Sequence, residues 1–145
     1  MDTLKKIASF QIDHTRLTPG MYTSRVDGDV VTYDLRFVRP NTPPYLETAA
    51  MHTIEHLFAT YVRSSEHSGG VVYFGPMGCR TGFYLLTVQL SREEVLALLK
   101  ESIPAALAMD TVPGSTRKEC GNYLEHDPEG AKKELAAYLT VLEAL

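Results

Sequence analysis

One stretch of the chain has to satisfy two opposite demands on a single helix. Met51, Ile54, Phe58 and Tyr61 recur at i, i+3, i+7 and i+10, the spacing that gathers side chains on one face of an α-helix running from about Thr48 to Arg63. At about 100° per residue, His52, Glu55 and His56 fall on the opposite arc, and Ala59 leaves space one turn further along. Two histidines four residues apart project side by side and can offer two imidazole nitrogens to one metal. Glu55 beside them suits proton transfer. The plain alternative is a solvated polar face that carries two of the five histidines, since H-x-x-E-H is a short pattern that also arises by coincidence.

The remaining periodicity predicts what this helix packs against. Val31, Tyr33, Leu35 and Phe37 alternate with Thr32, Asp34, Arg36 and Val38, the pattern of a strand with one face in the core, which turns Arg36 away from the Leu35 and Phe37 side. Phe10 and Ile12 alternate in the same way. Val71 to Phe74 and Phe83 to Leu90 are strand-length apolar runs joined across Gly75-Pro76-Met77-Gly78. Ser91 with Glu94 forms a capping box that opens a second helix through Val95, Leu96, Leu98 and Leu99, which Pro104 is expected to kink or end. Asp127 as cap and Pro128 at the first helical position open a third, with Leu135, Leu139 and Leu142 on its buried stripe. The expected fold class is α+β: helices packed against a mainly antiparallel sheet.

A length of 145 residues predicts one domain spanning residues 1–145, large enough to fold without a staple. Fourteen basic against 18 acidic residues leave a net charge of −4, which argues against nucleic acid as the main partner. No apolar run reaches membrane-spanning length, and Met1 to Lys6 lacks the apolar stretch of a secretory signal, so a cytoplasmic location is expected. In that compartment the two cysteines, Cys79 and Cys120, are expected to be thiols, ligands or a nucleophile, not a disulfide.

A catalytic metal usually takes three protein ligands and keeps one open position. Beyond His52 and His56, the third ligand can come from Cys79, Cys120, His14, His67 or His126. A Cys120 thiolate beside two imidazoles suits ferrous iron or zinc, although a buried cysteine is equally often just a small hydrophobe. Cys79 lies in a glycine-flanked turn, Gly78-Cys79-Arg80-Thr81-Gly82. Such a turn can present its thiol to a pocket, where Arg80 or a nearby metal would lower its pKa, or it can be structural only. His14 and Arg36 are candidates for binding a polar or anionic substrate.

Taken together, these segments resemble the S-ribosylhomocysteine lyase family (LuxS-type S-ribosylhomocysteinases). The resemblance runs through Ser9-Phe10-Gln11-Ile12-Asp13-His14, Tyr33-Asp34-Leu35-Arg36-Phe37, His52-Thr53-Ile54-Glu55-His56-Leu57, Gly75 to Tyr84, Glu119-Cys120-Gly121 and His126 to Lys132, in the family's order and spacing. It implies that His52, His56 and Cys120 bind one divalent metal per subunit, natively Fe(II), with Zn or Co able to replace it. It implies Cys79 and Glu55 as the acid/base groups, and Ser9, His14 and Arg36 as substrate-binding residues. It also implies a homodimer with active sites at the subunit interface, acting on S-ribosylhomocysteine to give homocysteine and dihydroxypentanedione, the autoinducer precursor used in quorum sensing. Two departures stand out: Tyr73 lies where many members carry an acidic residue nearby, and Pro104 interrupts a helix that is usually continuous.

Two other readings compete. H-x-x-E-H is also the motif of a class of zinc peptidases in which the glutamate activates water, but their third ligand is a glutamate and Cys79 would have no task. A metal-binding scaffold without activity would bind metal and release no thiol.

Overall fold

Val31, Tyr33, Leu35 and their neighbours do form a strand, and among the described residues it lies inside a four-stranded sheet. The computed structural model describes residues 13–145, so Ser9 and the Phe10/Ile12 alternation lie outside the described residues. The sheet contains β1 (Gly20–Asp27), β2 (Val30–Arg36), β3 (Val71–Pro76) and β4 (Gly82–Val88) in the order β1-β2-β4-β3, and every neighbouring pair is antiparallel. Opposite Leu35 stand Met21 on β1 and Phe83 on β4. These residues share the core face, whereas Arg36 lies opposite Gly20 and Gly82 on the other face. A Cβ at Gly82 would overlap the Leu35 carbonyl, so only glycine lets β4 approach β2 there.

Among the described residues, three helices cover the core face: α1 (Thr48–Ser64), α2 (Arg92–Leu107) and α3 (Pro128–Glu143). The expected α1 is present, but its buried stripe is Ala50, Met51, Thr53, Ile54, Leu57, Phe58 and Val62. Tyr61 stays half-buried and its hydroxyl donates to Glu101 at 3.0 Å. Both predicted caps form: Ser91 and Glu94 make the reciprocal capping box, and Asp127 accepts from the Gly130 N–H. Pro104 does not end α2, which continues to Leu107. It stands in the final turn, where its missing N–H removes a single helical hydrogen bond. On α3, Tyr138 joins Leu135 and Leu142 in full burial, while Leu139 is only partly covered.

A run of rings links the layers. Tyr138 stacks on Phe37 with centroids 4.1 Å apart, Phe37 meets Phe83 at 5.0 Å, Phe83 stacks on Phe74 at 5.0 Å, and Phe74 packs on Phe58 at 4.9 Å. Aromatic contacts at these separations add to the stabilisation from burial alone. The Tyr138 hydroxyl donates to the Gly20 carbonyl at 2.9 Å and pins α3 to the first strand. With its apolar face held this way, α1 turns its polar face toward the segment that joins α2 to α3.

Candidate metal centre and active site

The segment 108–127 has no helix or strand and folds over the polar face of α1. Its start is held by Lys132, whose Nζ donates to the Met109 carbonyl at 2.7 Å. Gly114 has a φ of +68°, and a Cβ there would sit 3.3 Å from His56 Nδ1, so a glycine lets the segment pass close to the ring. The Cys120 N–H bonds the Thr116 carbonyl at 2.9 Å, a turn that brings the thiol back toward α1.

Ligand atoms of His52, His56, Cys120 and His126 consequently lie within 4.8 Å of one another. Cys120 Sγ is 3.4 Å from His52 Nε2 and 3.8 Å from His56 Nε2. Of the five candidates for the third ligand, Cys120 and His126 reach this cluster. Cys79 and His14 belong to a different network, and His67 caps the short turn Ser68–Gly70.

The hydrogen bonds decide which ring nitrogens are protonated. His52 Nδ1 faces the Glu125 carbonyl at 2.6 Å, and His56 Nδ1 faces the Pro113 carbonyl at 2.9 Å. A carbonyl oxygen only accepts, so both Nδ1 atoms carry the proton and both neutral rings have a bare lone pair on Nε2. Those two Nε2 atoms stand 3.2 Å apart. Two lone pairs aimed at each other beside a thiol repel unless a cation lies between them, and outward Nδ1–H donation to carbonyls is the usual support of a metal-binding histidine. The donor set therefore fits a divalent metal of the iron or zinc type. Burial, followed by the His52 and His56 rings, holds the His126 pKa below the ordinary imidazole value.

The second network lies on the other face of the sheet. Arg36 is 1% exposed; sequence alternation put it on a polar face, but that face is also covered at this end. Its Nη1 donates to Thr81 Oγ1 at 2.7 Å and stands 3.8 Å from Cys79 Sγ, while Nη2 meets Asp34 Oδ2 at 3.2 Å and His14 Nε2 at 3.3 Å. Cys79 is exposed. Burial of part of its surroundings pushes the thiol pKa up, but hydrogen bonds from Thr81 and the Arg36 guanidinium outweigh this, and the net shift is downward. Arg36 supplies the positive charge that sequence reading sought in Arg80. Arg80 instead takes a φ of 61° and lays its guanidinium near the Tyr45 ring.

Glu55 lines two clefts that meet at the cluster, of about 460 and 320 Å³. The smaller one runs from His52 to Met77, Gly78 and Arg80, along the turn that carries Cys79. Tyr73 borders the larger one and is half exposed.

Two imidazole lone pairs beside the Cys120 thiol could hold a divalent metal, and a second thiol, Cys79, is held toward its anionic form in the turn along the smaller cleft, a combination that points to a metal-dependent acid–base enzyme of α+β architecture. Comparison with known proteins narrows this class. The family model for S-ribosylhomocysteinase (LuxS) matches residues 7–144. The S-ribosylhomocysteine lyase of Borreliella afzelii is 45% identical over 146 aligned positions, covering 96% of this chain and 93% of that protein. The one from Phocaeicola vulgatus is 48% identical over 143 positions, covering 94% and 89%, and the one from Clostridium beijerinckii is 46% identical over 136, covering 89% and 86%. The chain belongs to the S-ribosylhomocysteinase (LuxS) family. It is a carbon–sulfur lyase by that membership, and the zinc-peptidase alternative is not favoured: the third group beside His52 and His56 is a thiol, and no carboxylate joins the cluster among the described residues. No helix among the described residues is long and apolar enough to cross a membrane.

Proposed function

We propose that residues 1–145 form a single metal-dependent lyase domain that cleaves the thioether of S-ribosylhomocysteine to homocysteine and dihydroxypentanedione. One observation carries the proposal: in a chain of this family, two Nε2 lone pairs 3.2 Å apart converge beside the Cys120 thiol. His52, His56 and Cys120 are the metal ligands, and Fe(II) is the expected ion, with Zn or Co as substitutes. When bound, the metal supplies Lewis-acid polarisation of a sugar carbonyl, with no change in its own oxidation state.

The protein's own groups move the protons. Cys79, kept toward the thiolate by Thr81 and Arg36, acts as a base that removes a proton from a carbon next to the carbonyl. Glu55, between the two clefts, exchanges protons with the sugar oxygens. Paired removal and return of protons walks the carbonyl along the sugar until the sulfur-bearing carbon is β to it. Removal of the next C–H proton then forms the C=C bond, breaks the C–S bond and releases homocysteine thiolate, which takes up a proton. Each positioned acid or base contributes about 10²–10⁴-fold. Arg36, His14 and Ser9 bind the sugar and amino-acid portions of the substrate.

The enzyme is expected to be a cytoplasmic homodimer with active sites at the subunit interface, so light scattering should give twice the 16.1 kDa of one chain. Incubation of anaerobically prepared, iron- or cobalt-loaded protein with S-ribosylhomocysteine should yield homocysteine and dihydroxypentanedione in equal amounts. Stoichiometric metal without either product contradicts the proposal and leaves the metal-binding scaffold.

A further inference from the structure

His126 is the fourth member of the cluster, and its Nε2 lies 3.8 Å from Cys120 Sγ, as close as His56 Nε2. On distance alone it could close the site as a fourth ligand. The hydrogen bond on its other nitrogen argues otherwise. His126 Nδ1 stands 2.9 Å from Thr53 Oγ1, and the same hydroxyl oxygen accepts the Asp127 N–H at 2.9 Å. Thr53 is fully buried in α1, and these two groups are its hydrogen-bond partners among the described residues. The Asp127 N–H is a donor, so His126 Nδ1 is the one acceptor left for the hydroxyl proton, and a buried hydroxyl proton without an acceptor is costly. His126 Nδ1 therefore accepts, and in the neutral ring the proton is on Nε2. This is the reverse of His52 and His56, whose Nδ1 atoms donate to carbonyls.

We propose that Thr53 locks His126 with its proton on Nε2, so that His126 donates a hydrogen bond to the Cys120 thiolate and does not itself bind the metal. The inference rests on the metal reading of the site. In this arrangement His126 is a positioning residue with two effects. It withholds a fourth donor, which leaves the three-donor set open to substrate. It also draws electron density from the thiolate, so the sulfur donates less to the metal and the metal remains a stronger Lewis acid. The stacking of the His126 ring on His52, with centroids 4.1 Å apart and planes within 20°, holds the donor in line.

The test uses whole protein loaded with Zn(II) or Co(II). In the ¹⁵N ring spectrum of the zinc form, His52 and His56 should be protonated at Nδ1, and His126 should be protonated at Nε2. In the cobalt form, Thr53→Val and His126→Ala should shift the thiolate-to-cobalt charge-transfer band to lower energy and leave the visible ligand-field bands in place. Thr53→Ser, which restores the hydroxyl, should return the band to its wild-type position, a recovery that a packing role would not produce. An unprotonated His126 Nε2 in the zinc form, or ligand-field bands that collapse in His126→Ala, overturns this inference while the metal reading stands. Failure of the wild type to bind zinc or cobalt stoichiometrically overturns both.

Discussion

Arg36 Nη1 donates to Thr81 Oγ1 at 2.7 Å while standing 3.8 Å from Cys79 Sγ, and that same Thr81 hydroxyl is 3.0 Å from the sulfur. One buried guanidinium thus acts on the thiol directly and through the hydroxyl that bonds it. The sign of the effect is clear: these contacts favour the thiolate, so the pKa of Cys79 falls below its ordinary value of 9.0. A lowered pKa contributes stability that is present above pH 9.0 and lost as pH falls through the folded-state value. Alkylation of the Cys79 peptide by iodoacetamide, followed by mass spectrometry, should accelerate with a midpoint below pH 9.0. A midpoint at or above 9.0 would contradict an activated thiol.

Removing the guanidinium separates its two roles. Arg36 and Asp34 form a pair with both side chains 2% exposed. Arg36→Met leaves a buried carboxylate without its partner, which should cost about 3–5 kcal/mol in urea unfolding. Asp34→Asn combined with Arg36→Met should recover part of that loss. In both proteins the alkylation midpoint of Cys79 should move up, because the charge that favours the thiolate is gone in each.

Loss of a metal ligand should read differently from loss of the base. His52→Ala and Cys120→Ala are expected to lose stoichiometric metal, measured by elemental analysis after gel filtration. Cys79→Ala is expected to retain it, since Cys79 lies outside the cluster. Glu55→Gln should likewise keep the metal and lose turnover by about 10²-fold or more.

Gly82 links the fold to the site. A Cβ there overlaps the Leu35 carbonyl, so Gly82→Ala should destabilise the protein by about 1–3 kcal/mol through forced separation of β2 and β4. The neighbouring Thr81 carbonyl accepts from both the Phe37 and the Val38 N–H. Displacement of this stretch should therefore also raise the alkylation midpoint of Cys79, and thermal unfolding together with the pH profile checks both effects.

How far the sequence could be read followed from how regular each part is. The helix expected over Thr48 to Arg63 is observed over Thr48–Ser64, because an apolar stripe and a polar arc on one helix leave little choice of rotation. Strand β1 went unpredicted. Beyond its first two residues it is mostly exposed, so it carries no alternation of apolar and polar positions. On residue chemistry Cys120 was one of five candidates for the third ligand, and only the family resemblance singled it out; the Glu125 and Pro113 carbonyls that orient the rings belong to an irregular segment with no period to detect. The buried state of Arg36 was hidden for a related reason. Alternation marks which face of a strand a residue occupies, and it says nothing of whether the second face is also covered.

Carbon–sulfur bond cleavage in this chain is proposed to proceed by proton transfers at a metal-polarised sugar, with Cys79 as the base. The most direct test is thiol release from S-ribosylhomocysteine by cobalt-loaded wild type and cobalt-loaded Cys79→Ala, matched in metal content and assayed side by side without oxygen. Homocysteine release is expected from the wild type, with a rate reduced by at least about 10²-fold in the variant. Equal release by both proteins would contradict the role of Cys79, and no release by metal-replete wild type would contradict the lyase itself.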